Sequence, residues 1–177
     1  MRNLGMKNFE ILQGLPGHPP YPVQFSLNKQ STHAEGFVVR FYSPDNEPWV
    51  GNFQPGFSHY SNVVNYPRRE HLVIVIAGGD VYVIDINKEQ AVDAFNAGIT
   101  SVFFVPGKDL IIFVEYNGLI AIGTKGVLWR YKMNNCDGIR ELTYSNDLLN
   151  GESCQVPEDI WKKFQIDINT GHRKIGK

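Results

Sequence analysis

No stretch of this sequence stays apolar for longer than the run Leu72 to Ala77, LVIVIA. A helix that crosses a bilayer needs about 20 such residues, so none is expected. Charge of either sign is not in excess: 17 Lys and Arg face 18 Asp and Glu, for a formal net charge of −1. Without a basic surplus there is no electrostatic case for nucleic acid. Cysteine is scarce, with only Cys136 and Cys154. Zinc sites draw four ligands, usually in close pairs, and none of the histidines (18, 33, 59, 71 and 172) has a second ligand at such spacing. We therefore expect two free thiols, no metal and no cofactor. The N-terminal MRNLGMKNFEILQG lacks the apolar segment and small-residue cleavage site of a signal peptide. With the thiols, this gives the expectation of a cytoplasmic protein.

What the chain does have is β-strand signal. From Ile99 to Tyr131 it reads as four short strands joined by Pro106-Gly107-Lys108-Asp109, Asn117-Gly118 and Thr124-Lys125-Gly126. Such turn residues between β-branched and aromatic runs mark hairpins. Earlier, Phe37–Tyr42 and Trp49–Phe53 flank a Ser43-Pro44-Asp45-Asn46 turn, and Val63–Tyr66 stops before Pro67. Leu72–Ala77 and Val81–Ile86 flank Gly78-Gly79. Leu72–Ala77 does not alternate, so burial on both faces is expected. Later, Ile139–Tyr144, Leu148–Cys154 and Trp161–Ile168 complete the set.

One segment reads as helix. In Lys88–Ala97, KEQAVDAFNA, the residues Ala91, Val92 and Phe95 share a helical face, with Asn87 as a cap and Gly98 as a stop. The fold class expected is mostly β: about eleven strands in successive antiparallel hairpins, as a sandwich, a barrel or an incomplete propeller, with this one short helix. Residues 1–35, with three prolines at 19, 20 and 22, read as an N-terminal arm in which Val23–Leu27 packs as an edge piece. Residues 36–172 read as one β-rich domain, and 173–177 as a basic tail.

The unit Ile99–Tyr131 has the length of one propeller blade. GTKGVLWRY (Gly123–Tyr131) and FQIDINTG (Phe164–Gly171) resemble quinoprotein-type or WD-repeat blades. A closed propeller needs about four blades, and only one and a half such units are legible. A wider match resembles a set of bacterial proteins without an established activity. It comprises WVGNFQPG (Trp49–Gly56), HLVIVIAGGDVYVID (His71–Asp85), GVLWRY, DGIREL (Asp137–Leu142) and WKKFQIDINTG (Trp161–Gly171). Those proteins carry Ser-Trp where this chain has Asn135-Cys136, and commonly Trp where it has Cys154. The resemblance covers residues 36 to 172 and implies a fold but no activity.

Catalytic patterns fail on local grounds. Gly78-Gly79-Asp80 precedes a strand, whereas a phosphate-binding loop opens a helix. Ser58 and His59 are adjacent on an extended segment, so their side chains point apart. Asp80, Asp85, Asp137 and Asp167 sit at turns, where Asp is expected for turn reasons. Cys136 lies beside a carboxylate, the wrong setting for an activated thiolate. The candidate site is the aromatic stretch Trp49, Phe53, Phe57, His59, Tyr60 and Tyr66. Aromatics on a polar, Gly-containing loop are what interfaces use, and equally what a core uses at alternate positions. The function expected is a non-enzymatic binding protein with a protein partner, of an immunity or regulatory type. An enzyme without a readable motif, such as a hydrolase, and a homo-oligomeric subunit pairing through an edge strand are the rival readings.

Overall fold

The computed structural model describes residues 8–28, 34–44 and 46–174. Two compact units make up the chain, Met1–Gly98 and Ile99–Lys177. Each is built from two antiparallel-rich sheets, and among the described residues there is no helix.

In the first unit, one sheet contains β1 (Phe9–Ile11), β2 (Val23–Phe25), β3 (Phe37–Phe41) and β4 (Trp49–Phe53), in the spatial order β1-β3-β4-β2. Strand β2 lies parallel to β4 and the other pairs are antiparallel. Two stretches of the proline-containing segment are thus strands, and Val23–Phe25 is the edge piece that its apolar residues imply. The second sheet is a meander of β5 (Asn62–Asn65), β6 (Leu72–Ala77), β7 (Asp80–Asp85) and β8 (Gln90–Phe95) in sequence order. Every residue of β6 and β7 is buried, which explains why neither strand alternates. The core between the two sheets holds Phe25, Phe41, Trp49 and Phe53 from one, and Val73, Val75, Tyr82 and Ile84 from the other. Phe25 and Phe53 stack with ring centroids 4.7 Å apart, and Phe53 tilts onto Tyr82 at 5.3 Å.

In the second unit, β9 (Ile99–Phe104), β10 (Ile111–Glu115), β11 (Gly118–Gly123) and β12 (Gly126–Lys132) form another four-stranded meander. These are the four strands expected from the turn spacing. The last sheet has three strands, β13 (Cys136–Ser145), β14 (Leu148–Gln155) and β15 (Ile160–Asp167). Its core joins Ile112, Val114, Leu119 and Trp129 to Leu149, Phe164, Ile166 and Ile168.

The expectation of about eleven strands and one helix is corrected on both counts: among the described residues there are 15 strands, and the segment Lys88–Ala97 read as helix contains β8 instead. Helical spacing of Ala91, Val92 and Phe95 has no apolar surface to cover, because Gln90 to Ala94 are exposed. The Asp85 carboxylate accepts backbone N–H groups of Asn87 and Lys88, at 3.1 and 3.2 Å. Glu89 has φ of 54°. The chain is therefore turned back onto β7, where ladder bonding overrides a weak propensity.

That turn occurs twice. Ile84-Asp85-Ile86-Asn87 and Ile166-Asp167-Ile168-Asn169 repeat the same four residues. Asp167 also caps its own turn, accepting from Asn169 at 3.0 Å and Thr170 at 3.2 Å. These bonds, with Lys174 nearby, hold the Asp167 carboxyl below its ordinary value. Beyond each turn the chain returns along the same edge, pairing Ile84 with Ala91 and Ile166 with Arg173. Each turn also leaves a carbonyl for a tryptophan of the facing sheet. Trp49 Nε1 donates to the Ile86 carbonyl at 2.9 Å, and Trp129 Nε1 to that of Ile168 at 2.8 Å.

Replacing Trp129 by Phe keeps most of the apolar volume but orphans the Ile168 carbonyl. A lost buried partner costs about 1–3 kcal/mol, which for a chain of this size lowers the melting temperature by roughly 2–4 °C per kcal/mol. Phe53→Ala, at a fully buried position, is expected to cost about 3–5 kcal/mol. Differential scanning calorimetry checks both. A Phe53→Ala protein that melts with the wild type contradicts the core described here.

Candidate functional site

The six aromatic and histidine positions singled out above do not form one surface. Trp49, Phe53 and Tyr66 are buried, at 4, 0 and 8% exposure. Trp49 and Phe53 belong to β4 and fill the core. Tyr66 follows β5, with the Arg69 guanidinium 5.9 Å from its ring centroid. Phe57 is 99% exposed. His59 is exposed and Tyr60 half-buried. The structure thus brings together Phe57, His59 and Tyr60 on the segment 54–61 and assigns the other three to packing.

This segment is strapped down along its length. Gln54 N–H donates to the Phe25 carbonyl, Gly56 N–H to Ala77 and Ser58 N–H to Gly78, at 2.9, 3.0 and 2.9 Å. In return Gly79 N–H donates to the Tyr60 carbonyl at 2.9 Å, and Gly78 N–H to Ser61 Oγ at 2.9 Å. Ser58 Oγ accepts the Tyr60 N–H, and Asn62 Nδ2 donates to the Tyr60 hydroxyl. The segment is therefore tied to the β6–β7 turn, and two glycines make that approach possible. A Cβ on Gly56 would lie 2.6 Å from Asp80 Oδ1 and 2.7 Å from the Gly78 carbonyl. One on Gly78, at φ +52°, would lie 2.7 Å from Pro55 Cβ. The Gly78-Gly79 pair read as a hairpin turn is one, and it also serves as the seat for the segment carrying Phe57.

Beneath Gly56 sits Asp80, a carboxylate with 7% exposure. Asn96 Nδ2 donates to its Oδ1 at 2.7 Å. Burial raises the Asp80 carboxyl above 3.8, and the Asn96 amide opposes that rise. Tyr82, also buried and near this negative charge, is pushed up to about 12. Its hydroxyl donates to the Gln54 carbonyl at 2.9 Å, a further tie on the strap. The arrangement is an apolar tip on a rigid base with a carboxylate below it.

The other candidates have local duties. Asp85 and Asp167 cap their turns, and Asp137 is exposed. Cys136 and Cys154 are free and buried. Cys154 donates to Asp159 Oδ1 at 3.0 Å. That bond, then burial, pushes its thiol up to about 11, far from an activated nucleophile. Two open depressions lie in the second unit, of about 380 and 290 Å³, lined mainly by polar residues such as Glu141, Asn150, Lys163 and Lys108, Thr124, Lys125. Among the described residues no three His, Cys, Asp or Glu side chains converge to hold a metal ion, and no helix is long and apolar enough to cross a membrane.

The raised Asp80 pKa means the folded chain binds that proton more tightly than the unfolded chain. The stability it contributes is complete below the unfolded value and is lost as pH rises through the folded one. Asp80→Asn keeps an oxygen for Asn96 and removes the titration. Wild type should lose stability relative to Asp80→Asn as pH climbs from below 3.8 to neutrality. Urea unfolding of both proteins across that range measures the difference, and parallel curves would refute it. The Cys154 thiol should resist iodoacetamide at mildly alkaline pH in the folded protein and react once the chain is unfolded. Mass-spectrometric mapping of the alkylated sites reads this out.

No family model matches the chain, and no curated protein does. Solved structures that resemble it include the N-terminal domain of Nup159. At 11% identity that likeness covers 95% of this chain and 49% of the other, with a TM-score of 0.43. A chain of the S. cerevisiae complex of Dbp5 bound to Nup159, Gle1, IP6 and ADP matches at 12% identity over 68% of this chain and 34% of its own, TM-score 0.39. Kluyveromyces lactis Hsv2 matches at 12% identity over 66% and 36%, TM-score 0.35. The chain spans between a third and a half of the length of these proteins. Likeness at this level assigns neither a family nor an activity.

Proposed function

We propose that this chain is a non-enzymatic, cytoplasmic protein-binding module of an immunity or regulatory kind, and that segment 54–61 presents Phe57 as its anchor. The single observation that carries the reading is an aromatic ring left 99% exposed on a segment held by backbone bonds at both flanks. Exposed apolar rings are costly to leave in water. One held rigidly gives up little conformational entropy when a partner covers it. Trp, Tyr and Arg dominate interface hot spots, and aromatic rings generally are enriched at interface centres. Tyr60 and His59 would form the polar flank, and Trp49, Phe53 and Tyr66 support the base from within. The resemblance to bacterial sequences directs the search for a partner to bacteria.

Phe57→Ala removes the ring without touching a core contact, so its melting temperature should match that of the wild type. It should weaken the partner complex by about 1–3 kcal/mol, roughly 5- to 150-fold in affinity. Quantitative pull-downs from native lysate, wild type against Phe57→Ala, compare the captured proteins band by band. Retention of every captured protein at full strength by the variant would end this reading.

A further inference from the structure

A second surface lies in the other unit, at the outer edge of β15. Among the described residues three of the four sheets have four strands, and the β13-β14-β15 sheet has three. The outer strands β8 and β12 each carry a register shift against their neighbour, at Val83/Ile84 and Ala121/Ile122. Bulges of this kind twist an edge away from further pairing. Strand β15 has none. All eight of its residues pair with β14 in unbroken register, from Leu148 opposite Asp167 to Gln155 opposite Ile160.

The outer side of β15 already accepts strand-like bonding at one end. Asp167 N–H donates to the His172 carbonyl at 2.9 Å, and Lys174 N–H donates to that of Gln165 at 2.8 Å. With a period of two, the N–H and C=O groups of Trp161 and Lys163 point the same way. Among the described residues no strand pairs with that stretch. In the corresponding place of the first unit, β8 runs along the outer edge of β7 from Asp85 to Val81. The stretch also exposes Ile160 by 51% and Trp161 by 36%. Trp161 is held in place from below, with the Arg140 guanidinium 3.9 Å from its ring and fixed in turn by Glu152 at 2.9 Å.

The charge on this edge selects its occupant. Lys162, Lys163 and Arg173 are exposed, and among the described residues no ion pair engages them. Two copies of the edge would set lysine opposite lysine, which disfavours pairing. A strand bearing carboxylates would meet them. We propose that the outer edge of β15, from Ile160 to Lys163, accepts an extended acidic segment of a partner protein as an added strand. Backbone bonds to Trp161 and Lys163 would supply affinity, and the lysines would select the sequence.

The test is fluorescence anisotropy on the full chain, using labelled peptides of about eight residues that alternate Val with Glu or Val with Lys. The Glu peptide should bind at least about tenfold tighter than the Lys peptide. Lys163→Pro deletes an outward N–H while leaving the bonds to β14, a placement sheets tolerate at an edge. It should weaken the Glu peptide by about tenfold or more with an unchanged melting temperature. If proline unfolds the sheet, the pair Lys162→Glu with Lys163→Glu carries the test and must reverse the peptide preference. No binding at about 1 mM peptide, or equal affinity for both peptides, would overturn the proposal. So would sedimentation showing that this edge pairs copies of the chain.

Discussion

Each unit of this protein has, in the same place, a directed bond between its two sheets, a tryptophan N–H meeting the carbonyl that a tight turn leaves exposed. Apolar contact alone is non-directional, and two facing sheets could slide over one another while keeping most of it. The bonds from Trp49 to Ile86 and from Trp129 to Ile168 restrict that freedom. They depend on Asp85 and Asp167, whose carboxylates occupy the turn N–H groups and fix the peptide that presents the carbonyl. An indole N–H buried without such a partner would be a penalty. The same geometry therefore sets both the apposition and its cost of failure.

The strands of Leu72–Asp85 and Ile99–Lys132 were legible in the sequence because apolar content, β-branching and turn chemistry all point the same way there. Strand β8 was not, because none of Gln90 to Ala94 is buried. With no face to cover, the spacing of its apolar residues carries no information, and only pairing with β7 decides its form. Strand β1 was missed for the same kind of reason: Phe9–Ile11 is short, mostly exposed and held by its partner β3. The repeated Ile-Asp-Ile-Asn is visible in the letters. Its role is not, since the tryptophan that reads each copy lies more than thirty residues away in the chain.

The candidate site divides along the same line. Trp49 and Phe53 sit four apart in β4, on one face by the period of two, and that face is inward. Phe57 is another four along, but the chain has left the strand at Gln54 and turned onto the Gly78 seat. Nothing in the spacing of the aromatics marks that change. The glycines do mark it: Gly56 and Gly78 stand where two backbones come too close for a side chain. A rigid perch for an exposed ring is thus encoded by the small residues beneath it more than by the ring itself.

The placement of the three tryptophans gives the molecule an optical consequence. Trp49 lies in the first unit and Trp129 in the second, each sealed in its own core with the indole N–H engaged. Trp161 stands half-open to water against the Arg140 guanidinium. Two buried indoles emit at shorter wavelength than a wet one. The loss of that blue component therefore reports the opening of the cores from within, one buried indole to a unit, while the red component tracks the edge of the last sheet.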